Sequence, residues 1–209
     1  MIRLGTIAPE RLNLNGDQGN LLALTRFLRL AGFEVAVVPV HNTQQALACN
    51  FVVLGHGSQA AMKSLEPVFN SIDFTTALQS VPGLAIGSGF EYLSELQAVP
   101  QTINRSERES EFSIGEMGPL KVLGYRNTDS GLPNLALNER WICSMLHGPL
   151  LAKNPQLLAR AAKAAVAAAG LEWPQQPAQA LNNWVAELNA ICERIWSLEC
   201  DEAYPQLML

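Results

Sequence analysis

Short apolar runs set off by polar turns recur along the first half of this chain. Residues Ile2–Ile7 read as a strand; after a polar stretch, Leu21, Leu24, Phe27 and Leu28 fall at the three-and-four spacing of an amphipathic helix. Asp17 stands where an N-cap belongs and Gly32 where a helix C-terminus ends. Residues 34–40 are rich in valine, and Phe51–Leu54 stops at Gly55-His56-Gly57-Ser58-Gln59, which predicts two more strands. Gly83–Ile86 then runs into Gly87-Ser88-Gly89 and passes at once into Phe90-Glu91-Tyr92-Leu93, the outline of a strand, a tight elbow and a helix.

The pattern changes after the elbow helix. Asn104-Arg105-Ser106-Glu107-Arg108-Glu109-Ser110-Glu111 mixes both signs of charge and reads as a solvated loop. Short stretches at 112–114, 120–125, Leu135–Leu137 and 141–145 suggest an antiparallel extension of the sheet, with turns at Asp129-Ser130-Gly131 and Asn138-Glu139. Asn154 at an N-cap, Pro155 at the first helical position and Gly170 past the end frame a helix through Leu157, Leu158, Ala161, Ala165 and Ala168. A last helix, 177–198, carries Leu181, Trp184, Val185, Leu188, Ile191 and Ile195 on one face. That stripe reads as core, with Trp184 and Trp196 as candidates to meet a partner.

Strands alternating with helices imply an α/β fold: a mostly parallel sheet flanked by helices, with a C-terminal helical extension. Sites in such sheets lie at the strand C-terminal ends, where the Gly55 loop and the elbow both fall. At 209 residues with 48% hydrophobic and 16% charged, a single domain over 1–209 is expected. A net charge of -5 gives no electrostatic case for nucleic acid or an anionic membrane. No run is long enough to span a bilayer and the start lacks a signal peptide's apolar stretch, so a cytoplasmic protein is expected. Cys49, Cys143, Cys192 and Cys200 show no Cys-x-x-Cys spacing and read as thiols, with neither metal nor cofactor implied.

An elbow of this kind exposes a nucleophile in many α/β enzymes, with the helix N-terminus and the next backbone N–H stabilising negative charge. The wider sequence resembles the class I glutamine amidotransferases of the cobyric acid synthase type, and within them the glutaminase subunit of lipid II isoglutaminyl synthase. Three stretches carry the resemblance. Asn13-Leu14-Asn15-Gly16-Asp17-Gln18-Gly19-Asn20 matches the family's Asn-x-x-Gly-Asp-x-Gly-Asn loop. Leu146-His147-Gly148-Pro149-Leu150-Leu151-Ala152-Lys153-Asn154-Pro155 matches its histidine motif whole. Ala85-Ile86-Gly87-Ser88-Gly89-Phe90-Glu91-Tyr92-Leu93 follows the family's Ala-Ile-Cys-Gly-Gly-Tyr-Gln-Leu-Leu in outline.

The resemblance implies that His147 holds the base position, that Gly87 occupies the vacant nucleophile position, and that Gly55, Gly57, Ser88 and Gly89 line the oxyanion side. It also exposes further departures. His56 stands inside what is a glycine run in the family, and Tyr125-Arg126-Asn127-Thr128 replaces a Phe-Glu-Asn-His-like motif. With Glu91, residues His56, Arg126 and Thr128 mark a possible rebuilt pocket, although a lone loop histidine reads first as an exposed space-filler.

Gly87 has no atom to form the thioester that glutamine hydrolysis requires. The leading expectation is therefore a glutaminase-like chain without glutaminase activity and, as the family pairing implies, the binding or regulatory partner of a Mur-ligase-like protein. One alternative is an active glutaminase subunit supplying ammonia for amidation of lipid II or a cobyric-acid-type substrate. The other is a hydrolase or small-ligand binder using Ser88 and His147. A helical step of about 100° turns the Ser88 hydroxyl away from where a side chain at 87 would point.

Overall fold

The structure, a computed structural model, describes residues 1–96, 99–200 and 202–208. Its first half lays down β1 (Ile2–Ile7), α1 (Gln18–Leu30), β2 (Val35–Val40), α2 (Thr43–Leu47) and β3 (Phe51–Leu54). The helices α3 (Gln59–Phe69) and α4 (Ile72–Ser80) precede β4 (Gly83–Ile86) and α5 (Ser88–Glu95). Five strands follow: β5 (Arg105–Met117), β6 (Leu120–Ser130), β7 (Leu135–Leu137), β8 (Trp141–Ser144) and β9 (Leu146–His147). The chain ends with α6 (Leu150–Lys153), α7 (Pro155–Ala168) and α8 (Gln179–Glu199). None of the described helices is long and apolar enough to cross a membrane.

The main sheet has the order β2-β1-β3-β4-β8-β7, parallel throughout except for the antiparallel edge pair β7–β8. Its central strands are apolar at every position because both faces are covered. Val53, Leu84 and Ile86 join the core shared with α1, α7 and α8, whereas Val52, Leu54 and Ala85 join the core shared with α3, α4 and α5. Successive side chains thus leave opposite faces of the pleat. Strand order reverses between β1 and β3, so loops following these neighbouring strands splay apart and leave a crevice at the carboxyl end of the sheet.

The expected antiparallel extension divides in two. β7 and β8 belong to the main sheet, and β8 is parallel to β4 in the register Ala85↔Cys143. β5 and β6 instead form a long hairpin that, with β9, makes a separate antiparallel sheet of order β5-β6-β9. The stretch read as a solvated loop, 104–111, is therefore mostly strand. Its side chains are exposed, as the charge pattern implied, but its backbone pairs with β6.

Asp17 and Asn154 stand at the expected N-cap positions, but neither side chain caps its helix. Asp17 precedes α1, yet its carboxylate does not bond that helix; it reaches the Gly55 loop. Asn154 precedes α7 with Pro155 at the first helical position, but its side chain bonds the N–H and C=O of Leu123 and the carbonyl of Leu150. It fastens the second sheet to the helix junction. On α8 the buried residues are Leu181, Val185, Cys192 and Trp196, while Ile191 is 58% exposed, so the inward stripe is rotated from the one expected. Trp196 is 1% exposed and Trp184 packs edge-on against Phe27 at 6.0 Å, which turns both tryptophans into the core.

Candidate functional site

Gly87 joins β4 to α5 at φ 55°, ψ -118°, with its N–H donating to the Ser144 carbonyl at 2.9 Å. A positive φ is costly for any residue with a Cβ, so this elbow favours glycine locally. Space is the second constraint. A Cβ on Gly87 would lie 2.5 Å from Nδ1 of His56 and 2.8 Å from Cε1 of His147. The backbone turns sharply, as the strand-elbow-helix pattern predicts, but the volume over the turn is filled.

His56 fills it, and its backbone is tied on both sides. Its N–H donates to Asp17 Oδ2 at 2.7 Å and its carbonyl accepts from Leu14 N–H at 3.0 Å. The next residue is clasped by Ser88, whose hydroxyl accepts from Gly57 N–H at 2.9 Å and donates to the Gly57 carbonyl at 3.2 Å. The imidazole then accepts the Ser88 N–H through Nδ1 at 3.1 Å. Accepting there places the ring proton on Nε2. His56 fills this space but is half-buried and fixed, a correction to the exposure expected from its loop. Burial, followed by the nearby Arg108 charge, lowers its pKa.

These bonds also dispose of the amides expected to face an oxyanion. The N–H of Ser88 goes to the His56 ring and that of Gly57 to the Ser88 hydroxyl. Gly89 and Gly55 serve close packing: a Cβ on Gly89 would meet Leu54 Cγ at 2.8 Å, and one on Gly55 would meet Asp17 Oδ2 at 3.0 Å.

His147, on β9, is 4% exposed and meets His56 edge to face with ring centroids 4.7 Å apart. Its ring bonds the Asn127 backbone, while Nδ1 lies 2.9 Å from Nδ2 of Asn15, 132 residues earlier in the chain. Burial, and secondarily the neighbouring His56, push its pKa down to about 4. Neutral and bonded on both sides, this imidazole is a poor proton acceptor. Gly148 turns the chain at φ 90° immediately after it. Asn20 then takes the Leu151 N–H on its Oδ1 at 2.7 Å. The opening loop and the histidine motif are thus two halves of one packed unit.

Beside this unit lies a cavity of about 600 Å³ whose lining includes His56, Ser88, Glu91 and Thr128. Arg105, from the hairpin, bridges Glu91 and Asp129 at 2.8 Å each across its wall. Arg126, grouped with these residues from sequence, is not among the lining residues. It is 6% exposed and gives its guanidinium to the carbonyls of Leu132 and Ser130, to Asn134 and to Glu109. The four cysteines are free thiols, and none stands at the elbow: Cys143 is sealed in the core of β8, where burial raises its pKa, and Cys49 packs near Gly5.

Sequence reasoning missed Asn15 and Asp17 as site residues, although both lie in the opening loop that carried the resemblance. It missed Arg105 and Arg108 because it took their strand for a loop. Thirteen residues without proline and with only one glycine, ending at Met117, were the available signal.

No family model and no curated protein matches this chain. Solved structures do. The glutaminase domain of Trypanosoma brucei CTPS with bound acivicin superposes with a TM-score of 0.53 at 12% identity, over 86% of this chain and 99% of that one. A glutamine amidotransferase from Thermotoga maritima gives 0.47 at 13% identity, over 94% and 96%. At such identity the first of these shows the fold, and the chain has the class I glutamine amidotransferase-like α/β architecture.

Proposed function

We propose that this chain is a glutamine amidotransferase-like protein that does not hydrolyse glutamine and serves, in the cytoplasm, as the binding or regulatory partner of a Mur-ligase-like protein related to the lipid II isoglutaminyl synthase system. One observation carries the first half: the His56 imidazole occupies the space above Gly87 and takes the Ser88 amide. Glutamine hydrolysis needs a nucleophile, a base and free amide donors for the oxyanion. Here the nucleophile position has no side chain, and the backbone donors of Gly57 and Ser88 are engaged. The partner half rests on the sequence resemblance, through the intact histidine motif at 146–155 and the loop at 13–20.

The packing of those two motifs against each other supplies a reason for their presence without catalysis. They fix the carboxyl edge of the sheet, and a docking face needs that edge rigid. A seryl hydrolase finds no support in the Ser88 hydroxyl, which both gives and takes its hydrogen bonds at Gly57.

The test is ammonia release from glutamine by the purified chain, alone and with a co-expressed ligase-like protein. No release above background is expected in either case. Release that His147→Ala abolishes would overturn the reading. A stable complex with the ligase-like protein, seen by size-exclusion chromatography, is the expected result for the partner half, and its absence counts against that half.

A further inference from the structure

The charges around the 600 Å³ cavity are not evenly matched. On one wall Arg105 is neutralised by Glu91 and Asp129. On the same hairpin, three residues along β5, Arg108 donates to the uncharged Asn127 side chain at 2.8 Å, and among the described residues no carboxylate pairs with it. His56 lines the same cavity. Its Nδ1 is consumed by the Ser88 N–H, so its remaining polar atom is the Nε2–H, which has no partner among the described residues. The imidazole thus takes up the backbone amide at Nδ1 and keeps a donor at Nε2, in a cavity that Arg108 also lines and with the Arg108 charge near enough to act on the ring.

We propose that this cavity binds a small monoanionic ligand by its carboxylate, seated between the Nε2–H of His56 and the guanidinium of Arg108. The inference rests on the reading that the elbow does no glutamine chemistry, since it assigns the filled slot a recognition role. Both donors suit a carboxylate: a neutral N–H and a cation together make charge-assisted bonds shorter and stronger than neutral pairs. Lys63, Glu66 and Glu95 line the cavity as well, so the lining carries four carboxylates against three cations, which disfavours a multiply charged head group such as phosphate and leaves room for a neutral or cationic tail.

The experiment follows the imidazole Cε1–H resonances by NMR while butyrate, butyramide or inorganic phosphate is added to the full chain. His41, exposed and outside the cavity, is the internal control. Butyrate is expected to shift the His56 signal saturably and leave His41 unmoved, with butyramide without effect. Arg108→Gln, a change at an exposed side chain, is expected to weaken butyrate about tenfold, the scale of one charge-assisted bond, and Arg108→Lys to restore part of it. No saturable shift at His56, an equal response to butyramide, tighter binding of phosphate, or an unchanged Arg108→Gln would each overturn the proposal. Failure here with no ammonia release sinks this inference alone; ammonia release sinks the reading beneath it.

Discussion

The His56 imidazole and the missing side chain of Gly87 compete for one volume: a Cβ at position 87 would come within 2.5 Å of His56 Nδ1. Each residue therefore accounts for the other. Glycine at the elbow makes room for the ring, and the ring, held by Ser88 N–H, closes the space where a nucleophile would have to stand.

Gly87→Ala should cost about 2–4 kcal/mol, combining a side chain at positive φ with the clash against His56. In a His56→Ala background the clash with that ring is gone, so the same substitution should cost at least about 1 kcal/mol less. Urea denaturation of the four chains of this cycle measures the coupling. Strict additivity would mean that the two positions do not compete.

Ser88 is the elbow hydroxyl that the sequence offers as a nucleophile, and its geometry says otherwise. Ser88→Ala strips a buried Gly57 N–H of its acceptor and should destabilise the fold by about 1–3 kcal/mol. The unaltered protein should resist a fluorophosphonate serine probe. Labelling at Ser88 that disappears in His147→Ala would establish the hydrolase reading.

Arg126 tests whether a departure from the family pattern marks a pocket or a scaffold. Its guanidinium satisfies two carbonyls and the Asn134 side chain where β6 gives way to the segment leading into β7. Arg126→Met should therefore cost about 2–4 kcal/mol by leaving those acceptors unpaired. Butyrate shifts at His56 should persist in this variant under native conditions, because Arg126 does not line the cavity. Loss of those shifts with unchanged stability would return Arg126 to the pocket.

The order of strands and helices was readable because the buried runs alternate with turn residues, and β1, β3, β4 and α7 fall where the pattern put them. What could not be read were interactions between loops far apart in the chain. Asp17 follows the rule for an N-cap, yet the Gly55 loop offers its carboxylate the half-buried His56 N–H, and tertiary contact outweighs local habit. The same holds for Asn154, drawn to Leu123. His56 was visible as an anomaly in a glycine-rich loop, but its direction was not, since that depends on Asp17, Leu14 and Ser88 acting together. The charged strand β5 was hidden for a different reason: an exposed hairpin buries too few side chains to leave a period-two signature.

The last prediction concerns acid. His147 is buried neutral with a pKa near 4 against 6.5 unfolded, so the unfolded chain binds the extra proton between those values. Stability from this group is complete above pH 6.5 and is lost as pH falls through 4. The lowered pKa of His56 acts in the same direction. Asp17 is 1% exposed, and burial raises its pKa from 3.8 to about 6, an effect its bond from His56 N–H only partly offsets. Here the folded chain holds the extra proton, so stability from Asp17 is complete below 3.8 and is lost as pH rises through 6. Between pH 4 and 6 the two carriers oppose each other, each by roughly 1.4 kcal/mol per pH unit. The unaltered protein should therefore show a shallow dependence of urea midpoint on pH in that window. Asp17→Asn should expose the histidine slope, with stability falling steeply on acidification. His147→Gln should do the reverse and leave a chain that gains stability, or loses far less, as pH drops from 6 to 4. Parallel profiles for all three proteins would show that these buried groups do not set the acid response.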